Sequence, residues 1–197
     1  MSEKKTDRRT LKTRRAICDA LAELLTEKSL NKVTVQEIAD KADVNRVTFY
    51  KHYLDVYDLY DKIEQEILVE MGLLTLRLEE LPSEQFFSYL ISYIDENRPA
   101  FRMIVSPNTP WDLKNKIDKL LTGLLLKMQS EKKETDITDQ VVCYQAHYRA
   151  HGFLSVIFKW VADGFKEPKE LIIRVLSELD RNTESFILDN AKKKSRH

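Results

Sequence analysis

Three helix starts fall close together in the first third of the chain, and they limit the fold more than any other feature. Thr34 and Glu37 form a capping box, in which the threonine caps the helix and the glutamate reaches back to it. Asn45 and Asp55 are favourable N-caps for two further helices. Each cap lies between two apolar residues at the spacing of a hydrophobic staple: Val33 and Ile38, Val44 and Phe49, Leu54 and Leu59. The sequence therefore predicts two short helices joined by a tight turn, followed closely by the start of a third helix.

The turn between the first two of these helices contains neither glycine nor proline. We expect Asp43 to adopt the left-handed conformation there, because aspartate tolerates it better than most residues with a side chain. A helix, a tight turn and a second helix can place that second helix in the major groove of DNA. The second helix, predicted from Asn45 to His52, is rich in hydrogen-bond donors, and Val47 offers methyl groups to a thymine. The pattern predicts a DNA-reading helix, with an ordinary short solvated helix as the alternative.

The rest of the chain predicts an all-α fold of about nine helices. Only four glycines and five prolines occur in 197 residues, which favours long helices over a turn-rich β architecture, and no strand pattern is present. Ser83 is the predicted cap of the fifth helix. The predicted helices cover residues 10–28, 34–42, 45–52, 56–78, 83–97, 111–129, 137–162 and 168–189, with a short segment between the prolines at 99 and 107.

Charge is balanced overall but not locally. Residues 1–15 carry seven lysines and arginines against two acidic residues, while the formal net charge of the chain is zero. Such a basic arm suggests contact with a polyanion, and a solvated, disordered terminus is the alternative. The apolar runs are too short for a membrane span, and the charged start does not resemble a signal peptide. With two cysteines far apart, the sequence predicts a reduced cytoplasmic protein.

Motifs for catalysis or metal binding are weak. We find no glycine-rich phosphate loop and no nucleophile elbow, so we predict neither an enzyme nor a cofactor. Asp139, Cys143, His147 and His151 form one helical stripe, and a His-x-x-x-His pair on a helix can bind zinc. A stripe over these residues spans about 18 Å and cannot reach one ion, so we predict no metal site. Cys143, His147 and His151 remain candidate ligands if another helix or a second copy completes the site.

Two segments resemble a known family. The segment "RRAICDALAELLTEKSLNKVTVQEIADKADVNRVTFYKHYLDVYDLYDKI", from Arg14 to Ile63, resembles the DNA-binding domain of TetR/AcrR-type transcription regulators. The segment "GFLSVIFKWVADGFKEPKELI", from Gly152, is similar to the dimerisation segment of a subset that includes regulators of dihydroxyacetone kinase operons. The resemblance implies a helix-turn-helix domain with a basic arm over residues 1–54 and a helical ligand-binding and dimerisation domain over residues 55–197.

The resemblance also implies which side chains meet DNA. Arg46 and Val47 would face base edges, while Thr48 and Lys51 would lie at the groove or its flanking phosphates. Tyr50 and His52 look like the phosphate-gripping aromatic and histidine of the family. The implied contact residues are Thr34, Asn45, Arg46, Val47, Thr48, Tyr50, Lys51 and His52.

Three positions depart from the family pattern. The family often has lysines where this chain has Leu54 and Val56, and a glycine where it has Asp43. Losing cations near phosphates weakens sequence-independent affinity, although the basic arm can compensate. The prediction is a repressor that binds a palindromic operator in double-stranded DNA as a homodimer and is released by an unknown small molecule. The alternatives are a co-regulator with weakened DNA binding that acts through a protein partner, and a metal-responsive regulator.

The C-terminal half supplies candidates for the two remaining functions. Aromatic residues at helical spacing belong to a hydrophobic core more often than to a ligand cavity. Burial in the core is therefore the alternative for the predicted pocket residues. The pocket candidates are Phe86, Tyr89, Tyr93, Phe101, Met103, Trp111, Met128, Tyr144, His147 and Tyr148. The candidates for the dimer interface, which can equally complete a monomer core, are Gly152, Phe153, Ile157, Trp160, Val161, Ile172, Val175, Leu176 and Leu179.

Overall fold

The computed structural model describes residues 2–77, 81–110, 112–133 and 140–194, and within them the chain is helical. Among these described residues, nine α-helices and a short 3-10 helix at Leu30–Lys32 confirm the predicted all-α class. The helices are α1 (Ser2–Glu27), α2 (Val35–Lys41), α3 (Arg46–Tyr50), α4 (Val56–Leu76), α5 (Ser83–Glu96), α6 (Arg98–Val105), α7 (Asp112–Lys133), α8 (Gln140–Ala162) and α9 (Lys169–Lys194). None of these helices is both long and apolar enough to cross a membrane.

The first helix begins earlier than its apolar pattern predicts. The pattern indicates a start at Thr10, whereas α1 already begins at Ser2. The added segment contains lysine, arginine and glutamate, which favour helix without contributing to an apolar stripe. Residues 8–15 of the basic arm therefore belong to a regular helix, and Arg8 and Arg9 lie exposed on it.

The chain forms two compact units, residues 1–68 with 97–113 and residues 69–96 with 114–197. In the first unit, α1 packs against α2 and α6, with Ile17, Leu21 and Leu25 fully buried. The hydroxyl of Ser106 donates to the carbonyl oxygen of Leu25 at 2.7 Å and satisfies one of the last carbonyls of α1. The first unit thus includes part of α4, and the predicted functional boundary after Leu54 stays a prediction.

In the second unit, α9 packs against both α5 and α8. Phe87 of α5 meets Phe153 of α8 edge to face, with ring centroids 5.1 Å apart. The end of α8 is closed by Gly164 in the left-handed conformation, while the backbone N–H of Phe165 donates to the carbonyl of Trp160 at 2.9 Å. The rings of Trp160 and Phe165 pack 4.8 Å apart, which is the apolar contact that accompanies a Schellman motif.

A buried polar cluster links three helices of this second unit. The guanidinium of Arg149 in α8 lies 2.6 Å from a carboxylate oxygen of Asp180 in α9, and both side chains are almost fully buried. The hydroxyl of Ser83 donates to the other oxygen of Asp180 at 2.5 Å. Ser83 is the first residue of α5, so its predicted role as the N-cap is wrong: its side chain binds α9 instead.

Candidate nucleic-acid interface

The turn between α2 and α3 has the geometry that the sequence predicts. Asp43 adopts the left-handed conformation with a φ of 53°. Its backbone N–H donates to the carbonyl of Asp40 at 3.3 Å, and that of Val44 donates to Ala39 at 2.9 Å. These two bonds form a Schellman motif, which ends α2 and turns the chain into α3. The prediction for Asp43 is confirmed.

Helix α3 is a short rod with one buried side and one exposed side. The side-chain oxygen of Asn45 accepts from the backbone N–H of Thr48 at 2.7 Å and caps the helix as predicted. Phe49 is fully buried, whereas Val47 has 66% of its surface exposed. The helix ends at Tyr50, earlier than the predicted His52. Arg46, Val47, Tyr50 and Lys51 are exposed, while Thr48 and His52 are partly buried.

The N-terminus of α2 is occupied by the protein's own carboxylate. The backbone N–H and the hydroxyl of Thr34 donate to Glu37 at 3.0 and 2.9 Å, and the N–H of Glu37 donates back to the Thr34 hydroxyl at 3.3 Å. Lys28 forms a short ion pair with the same carboxylate. The Lys28 and Thr34 hydrogen bonds lower the pKa of Glu37 to about 2. The predicted capping box is confirmed, and its carboxylate lies at the positive end of the helix dipole.

The N-terminus of α4 is closed in the same way. A carboxylate oxygen of Asp58 accepts from the backbone N–H of Leu54 at 2.9 Å, and Asp55 accepts from the N–H of Asp58 at 2.8 Å. The Leu54 hydrogen bond, and then one from Lys62, lower the pKa of Asp58. Leu54 is 79% exposed, so the staple predicted between it and buried Leu59 is wrong: the reach of Asp58 back to Leu54 sets the chain direction instead. Val56, where the family often has lysine, is buried.

Behind α3, a group of polar contacts fixes the chain after its last turn. The hydroxyl of buried Tyr53 lies 3.6 Å from the sulfur of Cys18 and is hydrogen-bonded to Arg14, which raises the pKa of that guanidinium. Arg14 also binds Glu66 of α4 at 2.8 Å. The Lys62 ammonium lies 5.2 Å from the centre of the Tyr53 ring. These contacts tie the segment after α3 to α1 and α4.

A cleft opens between α1 and the turn that leads into α3. Its volume is about 560 Å³. Thr10 and Thr13 lie in the predicted helix over residues 10–28, but neither is among the predicted DNA contacts. Arg9 and Thr13 lie one helical turn apart, which is the signal that could have identified them. The lining residues are Arg9, Thr10, Thr13, Asp43, Val44, Asn45, Thr48, Lys51 and His52.

The predicted pocket residues are divided between the two units. Phe101 and Met103 are buried in α6 of the first unit, whereas the other described candidates belong to the second unit. Tyr144 and Tyr148 are 75% and 71% exposed on α8, so they do not line an enclosed cavity of their own unit. Trp111 lies outside the described residues. Of the remaining candidates, Phe86 and Met128 are buried, Tyr93 is partly buried, and Tyr89 and His147 are exposed.

The histidine stripe is connected to a second helix. Nδ1 of His151 lies 2.9 Å from the carbonyl oxygen of His147, and Nε2 lies 3.4 Å from a carboxylate oxygen of Asp118 in α7. Cys143 is partly buried, and Asp139 lies outside the described residues. Among the residues that the structure describes, no three or more histidine, cysteine or acidic side chains are arranged to hold a metal ion.

Most of the predicted dimer residues are already covered within one chain. Their burial within the second unit corresponds to the alternative of a monomer core, and it removes them from the accessible surface. Gly152 and Leu179 remain exposed, and no atom of the chain lies near a Cβ built on Gly152. Val175 is partly buried. The buried members are Phe153, Ile157, Trp160, Val161, Ile172 and Leu176.

Comparison with known proteins agrees with this geometry. Residues 17–61 match the family model of bacterial regulatory proteins of the tetR family, and residues 83–182 match that of a transcriptional regulator C-terminal region. YxbF of Bacillus subtilis, an uncharacterised HTH-type transcriptional regulator, is 26% identical over 180 residues, which are 87% of this chain and 45% of YxbF. The chain thus spans less than half the length of that relative. A second uncharacterised HTH-type regulator, from Haemophilus influenzae, is 22% identical over 193 residues, or 85% of this chain and 87% of that protein.

Solved structures share the fold at lower identity. A tetR-family regulator from Streptomyces coelicolor superposes with a TM-score of 0.64 at 14% identity, covering 93% of this chain and 85% of its own. The fatty acid degradation regulator FadR from Bacillus halodurans gives 0.60 at 17% identity, covering 85% and 93%. The family models together cover both the helix-turn-helix and most of the C-terminal half. The chain therefore belongs to the TetR family, whose members are DNA-binding transcription regulators and not enzymes.

Proposed function

We propose that this protein is a homodimeric repressor that binds a palindromic operator through α3 and is released from it by a small molecule. The supporting observation is α3 itself, a rod anchored by buried Phe49 that exposes Arg46, Val47, Tyr50 and Lys51. Two such helices in a symmetric dimer would enter successive major grooves, about 34–36 Å apart. The supporting scaffold of α1 and α4 restricts how α3 can move within the first unit.

Each exposed side chain of α3 fits a specific part of DNA. Arg46 presents the planar donors that bind guanine, and the methyl groups of Val47 suit a thymine methyl. Tyr50, Lys51 and His52 are the proposed contacts to the DNA backbone, because hydroxyl, ammonium and imidazole donors bind phosphate oxygens. Asn45 and Thr48 also belong to the proposed surface. Because the hydroxyl of Thr34 already binds Glu37, its proposed role is to position α2.

A stripe on α8 is the proposed dimer surface. Val141, Tyr144, Tyr148 and Gly152 follow one another at intervals of three or four residues, so they share a face, and all are exposed. Exposed aromatic residues with a glycine between helices suit close contact with the same face of a second copy. Leu179 is the exposed apolar residue that α9 contributes from the predicted set.

Replacing Tyr148 by glutamate tests this surface. A charge buried without a partner at an interface costs about 3–5 kcal/mol. We therefore expect the dissociation constant of the dimer to rise at least about 100-fold. Tyr89→Glu is the matched control, since Tyr89 is an exposed tyrosine on α5. Sedimentation velocity over a concentration series measures both variants. Equal dimer stability of the two variants would exclude the α8 stripe as the interface.

A second candidate function is co-regulation with weakened DNA binding. The specific observation behind it is that neither departure from the family at the start of α4 is compensated there: Leu54 is exposed and apolar, and Val56 is buried. The carboxylate of Asp58 adds negative charge at the same helix end. In this case the protein would act through a protein partner and would bind double-stranded DNA poorly.

Selection of the purified protein against random double-stranded DNA distinguishes these functions. Enrichment of an inverted repeat supports the palindromic reader. In a second round, Arg46→Ala should lose about 1–3 kcal/mol of discrimination at one base pair of each half-site, whereas Arg174→Ala, an exposed arginine of α9, should enrich the same sequence as the native protein. A folded dimer that enriches no sequence would contradict the proposal and favour the co-regulator.

The proposed effector contacts lie in the second unit. The buried candidates in the second unit, Phe86 and Met128, together with Tyr93, are the proposed contacts for an apolar portion of the effector. The finer resemblance to regulators of dihydroxyacetone kinase operons rests on the residues from Gly152 onward. A thermal-shift screen of the whole chain tests for an effector, because a ligand that binds only the folded state raises its melting temperature.

A further inference from the structure

We infer that His151 and Asp118 bind a zinc ion that joins α8 to α7, with His147 as a third ligand. All three residues belong to the second unit, so the site is separate from α3 and the DNA that it is proposed to read. Nε2 of His151 lies 3.4 Å from Oδ1 of Asp118. This separation exceeds the range of about 2.7–3.2 Å for an N–H···O hydrogen bond, so a direct hydrogen bond does not explain the contact.

The opposite side of the His151 ring determines what faces Asp118. Nδ1 lies 2.9 Å from the carbonyl oxygen of His147, and a carbonyl oxygen can only accept. In the neutral ring Nδ1 therefore carries the hydrogen, and Nε2 presents a lone pair to the carboxylate. The two atoms repel each other unless a cation lies between them. Histidines that bind a metal have this arrangement, because their second nitrogen donates to a backbone carbonyl or a carboxylate.

Two buried oxygen atoms on α7 point to the same place. Oδ1 of Asp118 is buried, and no described atom hydrogen-bonds to it. Thr122 lies one helical turn further along α7, and its buried hydroxyl also has no hydrogen-bond partner in the described part of the chain. Buried polar atoms almost always bind a protein group, a water molecule or an ion. A metal ion supplies the partner for Asp118, and a water molecule on that ion supplies one for Thr122.

The distance between the two ligand atoms selects the class of ion. Zinc bonds of about 2.0–2.1 Å at the tetrahedral angle place two ligand atoms about 3.3–3.4 Å apart. An octahedral ion such as Mg²⁺, with bonds of the same length, would bring them to about 2.9 Å. The observed 3.4 Å matches the tetrahedral value. Imidazole with carboxylate is also a ligand set that zinc accepts, whereas magnesium prefers oxygen atoms alone.

The third ligand must turn to reach the ion, because the described residues hold no group of three that is already in place. His147 lies one turn before His151, and the centres of the two rings are 5.7 Å apart. Its side chain is exposed, so the ring can rotate about its side-chain bonds without disturbing the core. Two histidines four residues apart on one helix and a carboxylate from a second helix make three ligands, which leaves the fourth position to water. His151 is itself 61% exposed, so the ion can enter from solvent.

Zinc binding by the full-length protein, without an affinity tag, is measured by isothermal titration calorimetry. We expect one ion per chain. Loss of a group behind a metal ligand lowers metal affinity about 10–100-fold, so His151→Ala, which removes a ligand itself, should lower it at least about 100-fold. Asp118→Asn keeps the shape of the side chain and should lower the affinity at least about 10-fold, as should His147→Ala. Cys143→Ser is the matched control, because Cys143 lies on the same stripe of α8 one turn before His147 and should not change the affinity.

Two further measurements test the geometry and the link to the fold. Cobalt(II), used in place of zinc, should show the visible absorption of a tetrahedral complex, and excess Mg²⁺ should not displace it. Zinc should raise the melting temperature of the native protein but not that of His151→Ala, because an ion that binds only the folded state stabilises it. Circular dichroism of each variant confirms that it is folded.

Three results would overturn the inference: a native protein that binds no zinc, equal zinc affinity in the native protein and His151→Ala, or an octahedral cobalt spectrum. The second of these results would identify an adventitious ion elsewhere on the surface. Because none of these measurements involves DNA, their failure would leave the proposed function unaffected.

Discussion

The buried pair of Arg149 and Asp180 predicts a large and specific effect on stability. Only 6% and 3% of these side chains are exposed, and no described atom hydrogen-bonds the Nε of Arg149. Asp180→Asn keeps the shape but leaves the guanidinium buried without a counter-charge. Breaking a buried pair in this way costs about 3–5 kcal/mol. For a chain of this size, that corresponds to a fall in melting temperature of about 6–20 °C.

The double variant Arg149→Met/Asp180→Leu decides whether the charge is the cause. Replacing both members by apolar residues removes the desolvation of two ions, so the double variant should be close to the native protein or more stable. Urea titration and thermal melting, followed by circular dichroism, measure the native protein, Asp180→Asn and the double variant. If Asp180→Asn lowers the free energy of unfolding by less than about 1 kcal/mol, which is the contribution of a surface ion pair, the reasoning is refuted. A double variant as unstable as the single one would refute it as well.

Three further predictions follow from the first unit. The hydrogen bonds of Glu37 lower its pKa to about 2 in the folded protein, so the capping box stabilises the fold fully above pH of about 4.5 and loses this contribution as the pH falls toward 2. The free energy of unfolding should therefore fall less steeply with decreasing pH in Glu37→Gln than in the native protein. Equal slopes for the two proteins would contradict this. Burial raises the pKa of the Cys18 thiol, so Cys18 should react with a disulfide reagent more slowly in the folded than in the urea-unfolded protein, with Cys143→Ser used to isolate its signal. Tyr53→Phe removes the hydroxyl between Cys18 and Arg14 and should lower the free energy of unfolding by about 0.5–1.5 kcal/mol; no change would mean that this hydroxyl is not bound in solution.

Local chemistry explains why the helix-turn-helix could be predicted in detail. The helix caps and the left-handed Asp43 depend on atoms within five residues of one another, so the sequence pattern contains nearly all the information. The staple at Leu54 failed within the same segment. An apolar residue before a cap forms a staple only if its side chain packs against the helix. The hydrogen bond from the backbone N–H of Leu54 to the Asp58 carboxylate leaves the Leu54 side chain exposed instead.

Long-range packing in the C-terminal half could not be predicted from the sequence. Helical spacing identifies an apolar face of α8 but not which element covers it, and Phe153 is covered by Phe87 of the same chain. The pair of Arg149 and Asp180 joins residues 31 positions apart, a distance at which no sequence pattern predicts contact. Tyr144 and Tyr148 resembled pocket aromatics for the same reason, because periodicity does not distinguish a lined cavity from an exposed stripe.

The left-handed backbone of Asp43 also limits which residues can replace it in the course of evolution. Glycine adopts that conformation without strain and aspartate tolerates it, whereas a β-branched side chain is disfavoured there. The side chains on the exposed face of α3 are under no such restriction, because the turn and buried Phe49 hold the helix in place without them. The exposed face can therefore change from one relative to another while the turn stays the same.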